Sequence, residues 1–492
     1  MQKKVTRCQF IGIVTVVACY VFAGCGLTAS AGDIGIRKKN VLLIVADDLN
    51  MDLGCYGNKV VSSSNLDRLA GMGIRFDHAY CQNPVCSPSR SSFLTGLRPK
   101  TTHVINNDPA HEQMRAILDK GGQTLSGLFK ANGYTTAGFQ KIFHDKTYFP
   151  ESWDHYSEGG MTPLGQKTTT RNLSKDGELS FLVIGTTLGD DDDLRDGSAA
   201  NKAIAVLDEI VKKQRDKSDQ KPFFMSVGFV SPHGHWIVPE KYIPLYPNSK
   251  LQLYKIPMDA STLHETTLPM ALRATFLAFS DKDKMDYMRS YYGLVSHLDT
   301  CIGKLLDAMD RLKLWDDTIV VFVSDHGYML GQHDWWNKAT VMEDALKAPL
   351  MVVTPDLKHR GELCSSLIEF IDIFPTLTDL CGLEPPTLLE GKSFAPLLSD
   401  PKKSFKKAAF SSCGNNPNRR GYSVRTERYR YSEWYRGEKP QLLETQLFDH
   451  KTDPQEYYNL ADDPRYDALK ANLKNALKTM DEGKIKDIAV GE

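Results

Sequence analysis

Two runs of apolar, mostly β-branched residues constrain the fold of this chain more than any other feature of its sequence. The first run is Asn40–Ala46 and the second is Thr318–Val323. Neither run alternates with polar residues, which is typical of strands that are buried on both faces of a parallel sheet. The first run leads into Asp47 and Asp48, and the second leads into Asp325. Because ligand sites in open α/β sheets lie beyond the carboxyl ends of strands, we predict that these acidic groups face one site.

The sequence between these two runs alternates between helical and strand-like patterns. Helical periodicity is present in residues 124–131 and 199–211, and residues 223–227 have the composition of a strand. From Tyr287 to Leu312, apolar residues recur at helical spacing and predict one long amphipathic helix whose apolar stripe belongs to the core. This alternation predicts an α/β fold.

The pattern changes after residue 385. Three short strand patterns follow and precede a final helical pattern. These four segments are Ala408–Ser411, Gly421–Arg425, Tyr429–Trp434 and Tyr466–Met480. We therefore predict a larger domain over residues 32–385 and a smaller C-terminal α+β subdomain over residues 386–492.

Composition and charge limit the function classes. With 492 residues, of which 41% are apolar, the chain is long enough for one large core and a smaller one, and it is neither fibrous nor disordered. Its 60 Lys and Arg residues are balanced by 61 Asp and Glu residues, for a formal net charge of -1. The chain therefore lacks the overall positive charge that is typical of nucleic-acid-binding proteins. Any anionic ligand must be bound by a local group of basic residues.

The N-terminus has the pattern of an export signal. Three basic residues precede an apolar run from Phe10 to Phe22 that is short for a membrane span, and small residues up to Ala31 offer a cleavage site. We predict a signal peptide over residues 1–31, a secreted or periplasmic protein, and no integral membrane segment in the mature chain. Lipoprotein anchoring at Cys25 is the alternative, which Phe22 disfavours.

Seven cysteines remain after residue 31, and this odd number leaves at least one thiol unpaired. They include no CxxC pair, so zinc is not expected. Cys364 and Cys381 could form a disulfide or remain two buried thiols.

The most specific motif is Cys86-Ser87-Pro88-Ser89-Arg90, followed by Leu94-Thr95-Gly96. It resembles the C-x-P-S-R signature of the type I sulfatases, in which a formylglycine-generating or sulfatase-maturing enzyme oxidises the cysteine to formylglycine. The resemblance extends from Asn40 to about Pro464. It implies an alkaline-phosphatase-like mixed sheet sandwiched by helices, with residues 32–385 as the catalytic sulfatase domain.

The resemblance also implies a two-step covalent mechanism at Cys86. A hydrated aldehyde carries two geminal hydroxyls, so one oxygen can attack sulfur and the other can later expel sulfate. A serine at this position could only attack.

A calcium ion is the expected cofactor. A sulfate monoester is an anion that gains charge on its leaving oxygen, and a hard divalent cation with oxygen ligands stabilises that charge. The ligands implied by the family are Asp47, Asp48, Asp325, one oxygen of the modified Cys86, and His326. Imidazole is softer than the ligands that calcium prefers, which makes His326 the weakest member of this set.

Further residues match family positions around the sulfate. Lys141 and Lys338 are expected to bind sulfate oxygens, whereas His144 is expected to hydrogen-bond the formylglycine hydroxyls. Arg90 would steady the deprotonated hydroxyl of that group.

A histidine pair follows the strand pattern of residues 223–227. His233 aligns with the acid that protonates the leaving group in the family, and His235 is the alternative. An alkoxide leaves poorly without a proton, so a positioned imidazolium contributes on the order of a hundredfold in rate.

Within the family, the sequence most resembles iduronate-2-sulfatase. Gly54–Gly57, Pro232-His233, Tyr246-Pro247 and Asp325–Gly327 carry this likeness. It implies a sulfated carbohydrate substrate, such as a 2-O-sulfated uronic acid. A formylglycine-dependent phosphodiester or phosphonate hydrolase is one alternative. A carbohydrate-binding homologue that has lost catalysis is another, although the complete set of site residues counts against it.

Overall fold

The computed structural model describes residues 38–481 apart from 109, 145–148, 159–167, 175–176 and 417. The predicted signal peptide and the alternative anchor at Cys25 lie outside the described residues. Within them the chain forms seventeen strands and twelve α-helices. No helix in these ranges is both long enough and apolar enough to cross a membrane. The seven cysteines are free thiols, so Cys364 and Cys381 are not bridged.

The strands are β1 (Asn40–Asp47), β2 (Ile74–Phe76), β3 (Ala79–Tyr80), β4 (Thr135–Gln140), β5 (His155–Ser157), β6 (Thr168–Asn172), β7 (Val183–Thr187), β8 (Phe223–Pro232), β9 (Trp236–Pro239), β10 (Thr318–Ser324), β11 (Leu350–Val353), β12 (Leu363–Cys364), β13 (Ile368–Glu369), β14 (Ala409–Asn416), β15 (Arg419–Arg425), β16 (Tyr429–Arg436) and β17 (Gln441–Asp449). The helices are α1 (Ser64–Met72), α2 (Cys86–Thr95), α3 (Pro99–Thr102), α4 (Ala110–Leu118), α5 (Leu125–Ala131), α6 (Arg195–Arg215), α7 (Met270–Leu277), α8 (Asp281–Leu312), α9 (Glu343–Leu346), α10 (Ile373–Leu380), α11 (Ala395–Ser399) and α12 (Asp467–Asp481).

The central sheet has the strand order β12-β2-β11-β10-β1-β8-β4-β5. β1 lies between β10 and β8 and is parallel to both, and β4 and β5 continue in the same direction. β11 is antiparallel to its neighbours β10 and β2, and β12 is parallel to β2. The sheet is therefore mixed, as predicted, and the carboxyl ends of β1, β4, β8 and β10 meet at one edge.

The packing of β1 explains why its sequence does not alternate. Leu42 and its even-numbered neighbours belong to a core cluster that contains Leu298 of α8 and Leu207 of α6. Leu43 and its odd-numbered neighbours belong to a second cluster with Phe93 of α2. Because helices cover both faces of the sheet, both sets of β1 side chains must be apolar.

The long helix predicted from Tyr287 to Leu312 is confirmed as α8, but it begins six residues earlier, at Asp281. A capping box starts it: the Asp283 amide donates to Ser280 Oγ at 3.2 Å, and the Ser280 amide donates to the Asp283 carboxylate at 3.0 Å. The first turn is polar, so apolar periodicity could not locate this start.

The C-terminal segment forms an antiparallel sheet, β14-β15-β16-β17, covered by α12. The three strand patterns and the helix are confirmed, but β17 was not predicted. Its first half, from Gln441, is exposed or half-buried and polar, so it carries little strand pattern. Trp434 of β16 packs in a core cluster of the central sheet. The domain boundary at residue 385 stays a prediction.

Candidate active site

The residues predicted for the site come together at the carboxyl edge of the central sheet. They lie at the ends of β1, β4, β8 and β10, at the start of α2, and in the loop after β10. The ten residues are Asp47, Asp48, Cys86, Arg90, Lys141, His144, His233, Asp325, His326 and Lys338. Strands of one parallel sheet end at the same edge, which explains how positions almost three hundred residues apart become neighbours.

Cys86 is the first residue of α2 and is fully buried. Its Sγ lies 3.4 Å from Asp47 Oδ1 and 3.0 Å from Lys338 Nζ. The positive end of the helix dipole favours an anion at this position. The cysteine therefore lies between a carboxylate that ends β1 and an ammonium group from a distant loop.

Arg90, one turn further along α2, links three strand ends. Its Nε donates to Asp325 Oδ2 at 2.9 Å, and its other nitrogens donate to the carbonyls of Ala46, Lys141 and Ile142. The side chain is fully buried. Because the guanidinium has five donors in a rigid plane, it can hold these groups in one arrangement.

Asp48 follows β1 in the left-handed conformation, with φ 63°. Its carboxylate contacts Lys338 Nζ, and it lies 3.5 Å from His326 Nε2 and 4.0 Å from His233 Nε2. A non-glycine residue in this region is uncommon, so other contacts must hold it there. Tyr291 of α8 supplies one, because its hydroxyl hydrogen-bonds the Asp48 carbonyl.

The two lysines pair with different aspartates. Lys141 Nζ forms an ion pair with Asp47, whereas Lys338 Nζ pairs with Asp48. Both lysines are half-buried, in contrast to the fully buried Asp47. The two lysines are therefore partly accessible to solvent, whereas Asp47 is not.

Charge around Cys86 favours its anionic form. Burial alone would raise the pKa of the thiol, but Lys141 and Lys338 lower it to well below the usual range, helped by hydrogen bonds with His144 and His233. The pKa of Asp47 is also lowered, because Lys141 and other nearby cations outweigh its burial and the repulsion from Cys86. The pocket is thus built to hold negative charge at Cys86.

The opposite shift occurs at Asp325. Burial and the neighbouring Asp47 raise the pKa of Asp325 to about 6. Burial disfavours the charged form of His326, yet Asp325 raises the pKa of this histidine to about 9. Both shifts have the same cause, because negative groups packed closely together favour bound protons.

The same donors fit a divalent cation. Asp47, Cys86, Asp325 and His326 each offer one atom, and these atoms lie within 4.8 Å of one another. His326 Nε2 is buried and lies 3.5 Å from an oxygen of each of two carboxylates, Asp48 and Asp325, so these donor atoms face one common point. Carboxylate oxygens suit a hard cation, and replacing the Cys86 sulfur by an aldehyde-derived oxygen would complete an oxygen-rich set.

The two histidines after β8 lie in different surroundings. His233 is half-buried, faces Asp48, and has a raised pKa because the attraction of Asp48 outweighs its burial. His235 Nε2 instead contacts the carbonyl of Ser180, 2.9 Å away. Only His233 belongs to the cluster that contains Cys86.

Tyr291 is a site residue that sequence reasoning missed. It belongs to the stripe of α8 that periodicity assigned to the core, and its ring is indeed buried. The signal that could have found it is the polar hydroxyl in an otherwise apolar stripe, since a buried tyrosine hydroxyl needs a hydrogen-bond partner.

Family comparisons match the whole described region. A family model described as Sulfatase matches residues 39–383, and one described as N-sulphoglucosamine sulphohydrolase, C-terminal, matches residues 331–483. The mouse iduronate 2-sulfatase is 27% identical, with 91% of this chain and 95% of the relative covered. The human iduronate 2-sulfatase is 30% identical over 80% of this chain and 84% of its own length.

Solved structures share the fold at lower identity. A protein in complex with its substrate D-glucosamine-2-N,6-O-disulfate superposes with a TM-score of 0.69 and 22% identity, covering 93% of this chain and all of the other. A phosphonate monoester hydrolase from Silicibacter pomeroyi gives a TM-score of 0.74 and 22% identity, covering 92% and 97%. These likenesses confirm the predicted alkaline-phosphatase-like fold.

Proposed function

The chain belongs to the sulfatase family, and from this premise we propose that it hydrolyses the sulfate monoester of a sulfated carbohydrate, using formylglycine made from Cys86. Its membership of this family and its sulfatase relatives make it a sulfuric ester hydrolase. We propose three further features: a sugar as the substrate, the modification of Cys86, and the metal. A formylglycine-generating or sulfatase-maturing enzyme is the partner that this modification requires.

One observation carries the proposal: Cys86 lies within reach of cations contributed by two separate loops. Lys338 Nζ is 3.0 Å from the Cys86 sulfur, and Lys141, on the other loop, is the strongest influence that lowers the thiol pKa. An anion bound against residue 86 would meet both ammonium groups. This arrangement supports the recognition of a sulfate group directly at the nucleophile.

Formylglycine, when present, supplies two geminal hydroxyls, one to attack sulfur and one to release sulfate. The surrounding residues have separate tasks. Arg90 holds the strand ends around residue 86 and offers a fixed positive charge beneath it. His144 hydrogen-bonds the residue 86 side chain and can accept a proton from it.

We assign calcium binding to Asp47, Asp48, Asp325, His326 and the modified residue 86. The four described donors within 4.8 Å of one another support this assignment. A bound Ca²⁺ would supply Lewis-acid stabilisation of negative charge on the sulfate oxygens. With the cation in place, Lys141 and Lys338 would be free to turn from the aspartates toward substrate oxygens.

His233 is the proposed acid for the leaving group. It is half-buried, lies on the open side of the cluster, and its raised pKa keeps a proton available. The carbonyl of Gly234 lies 2.7 Å from His233 Nδ1, which leaves Nε2 directed toward the site. His235, which contacts Ser180, lacks this position.

The substrate class is inferred from the relatives. Iduronate 2-sulfatases match at 27–30% identity over most of the chain, which favours a sulfated sugar such as a 2-O-sulfated uronic acid. The proposed export signal places the enzyme in a secreted or periplasmic compartment, where such polysaccharides occur.

Two measurements test the proposal. Mass spectrometry of the peptide that contains Cys86 should detect the aldehyde in active enzyme. Parallel assays with an aryl sulfate, an aryl phosphodiester and an aryl phosphonate monoester should show the highest kcat/KM for the sulfate. Preference for either phosphorus ester would favour the alternative hydrolase, and no turnover of any ester by aldehyde-containing protein would favour a binding homologue.

A further inference from the structure

A large cleft lies outside the candidate active site. Its volume is about 1160 Å³. We call it the basic cleft. It is lined by His78, Glu343 and Lys347 and by residues from the segments 363–367, 401–407, 425–429 and 450–454. None of the ten site residues lines it. Small-molecule pockets have volumes of roughly 300–1,000 Å³, so this cleft can hold an extended ligand of several units.

The lining of the basic cleft is strongly cationic, although the chain has a net charge of -1. Seven Lys or Arg residues line it, against two Glu residues. Four of the cations are already paired: Lys347 and Arg425 with Glu343, Lys406 with Glu369, and Arg428 with Asp449. The charges of these four side chains are therefore compensated within the protein.

The other three cations are Lys402, Lys407 and Lys451. All three are exposed, and none of their ammonium groups has a carboxylate partner among the described residues. Two loops thus bring unpaired positive charge to one concave surface: the segment before β14 carries Lys402 and Lys407, and the loop after β17 carries Lys451. Such a surface attracts a ligand with several negative charges.

Two aromatic rings, Phe405 and Tyr429, also line the cleft. The Arg428 guanidinium lies 4.8 Å from the ring centre of Tyr429, and the Phe405 ring lies 5.4 Å from Lys392 Nζ. Both rings line the cleft and are partly exposed. A partly exposed ring offers an apolar face to a sugar, whereas the ammonium groups suit its anionic substituents.

The basic cleft lies along the same edge of the sheet as the active site. His78 follows the carboxyl end of β2, Ser365 follows that of β12, and both strands run parallel to β1. Only three strand steps separate β12 from β10, which corresponds to roughly 15 Å at the usual spacing.

The short helix α9 contacts both the active site and the basic cleft. The Gly327 amide, next to His326, donates to the carbonyl of Ala345 in α9 at 3.0 Å. Glu343 and Lys347, at the two ends of this helix, line the cleft. The cleft and the active site are therefore about one short helix apart, a separation that a polymer can span and a monosaccharide cannot.

We propose that the basic cleft is a second binding site for the polysaccharide, which holds a sulfated stretch of the chain while another sulfate ester lies at residue 86. This inference rests on the proposed function. Binding at two linked places raises the effective concentration of the polymer at the active site without any new contact there. The cleft thereby selects polymers over small sulfated molecules.

The test compares two triple variants of the full chain. Lys402→Gln/Lys407→Gln/Lys451→Gln removes the unpaired charges of the cleft. Lys212→Gln/Lys217→Gln/Lys221→Gln is the matched control, because these exposed lysines lie in the last turn of α6 and in the loop before β8, at the opposite edge of the sheet. Both variants change the net charge equally. Binding of dextran sulfate, unsulfated dextran and polyglutamate is measured by calorimetry at fixed salt.

The cleft variant should bind dextran sulfate about tenfold more weakly than wild type, because three exposed charge contacts are lost. The control variant should bind as wild type does, and unsulfated dextran should not bind. Equal weakening in both variants would overturn the proposal, since it would reflect net charge alone. Polyglutamate that binds wild type as tightly as dextran sulfate would overturn it as well.

Turnover of a small aryl sulfate separates this inference from the proposed function. It should be unchanged in both triple variants. If wild type hydrolyses the aryl sulfate but the cleft variant still binds dextran sulfate normally, the second site is wrong and the sulfatase assignment stands. If wild type containing the aldehyde hydrolyses no sulfate ester, the proposed function itself fails.

Discussion

The hydroxyl of Tyr291 in α8 donates a hydrogen bond to the backbone carbonyl of Asp48, with a distance of 2.5 Å between the oxygens. The same hydroxyl accepts a hydrogen bond from the amide of Asn50 at 2.9 Å. Both bonds hold the backbone directly after Asp48, the residue that adopts the left-handed conformation after β1. A core helix thereby fixes the direction of the Asp48 carboxylate, which faces His326 and Lys338.

Tyr291→Phe should lower the free energy of unfolding by about 1–3 kcal/mol, because it leaves a buried carbonyl and a buried amide without a partner. It should also raise the calcium concentration needed for half-maximal activity, since Asp48 loses its support. Tyr292→Phe is the control, because that hydroxyl donates to Asp52 at 3.1 Å and not to the Asp48 backbone. An unchanged calcium titration in Tyr291→Phe would show that Asp48 is held by other contacts. Denaturant unfolding and calcium titration measure these effects.

Cys86→Ala should abolish turnover and leave the fold intact, because it removes the attacking group from a buried but small position. We expect a loss of about a thousandfold or more, as for other removed nucleophiles. Cys86→Ser should accept at most one sulfate per chain, since serine lacks the second hydroxyl. Single-turnover assays and intact-protein mass spectrometry measure both. Repeated turnover by Cys86→Ser would contradict the formylglycine mechanism.

Asp47→Asn should weaken calcium binding and activity together, because it removes one charge from a small set of buried donors. The measurement is activity against free calcium at equilibrium. Asp299→Asn is the control: this buried carboxylate accepts from the Leu66 amide at 2.8 Å, so its loss should affect stability but not the calcium response. Full wild-type activity in excess chelator at equilibrium would show that no calcium is needed.

His233→Ala should distinguish between leaving groups. A sugar alkoxide needs a proton to leave, whereas a nitrophenolate is stable as an anion near neutral pH. We therefore expect turnover of a sulfated sugar to fall by at least about a hundredfold, and turnover of nitrophenyl sulfate to fall much less. His235→Ala is the control and should show no such asymmetry. If only His235→Ala shows the asymmetry, then His235 is the acid. If each variant loses the same activity on both substrates, neither histidine is the acid.

Arg430→Met should destabilise the protein strongly. This fully buried side chain contacts Glu343 and pairs with Glu456 at 2.6 Å, so its removal leaves two buried carboxylates under-compensated. The expected loss is about 3–5 kcal/mol in the free energy of unfolding. Arg428→Met is the control, because the Arg428 guanidinium is partly exposed and water can replace it beside Asp449, so its loss should destabilise the protein much less. Similar losses in both variants would contradict this distinction.

The sequence alone determined the parts of this protein whose signal is local. Asn40–Ala46 had to be a strand covered on both faces because it contains no polar alternation, and α8 was evident because its stripe keeps helical spacing over seven turns. The motif at Cys86 indicated the family, because that chemistry needs those residue types in a fixed order. The acidic ends of β1 and β10 were predicted to meet because parallel strands share a carboxyl edge, and Asp48 does hydrogen-bond Asp325.

Only the tertiary structure decided which side chains complete that edge. The hydrogen bonds of Tyr291 and the different surroundings of His233 and His235 depend on how loops and helices pack. No periodic pattern in the sequence reports either of them. The basic cleft is the clearest case, since Lys402 and Lys407 precede β14 whereas Lys451 follows β17, more than forty residues later in the sequence. Charge on exposed loops is not constrained by burial, so its arrangement in space becomes visible only when the core has brought those loops together.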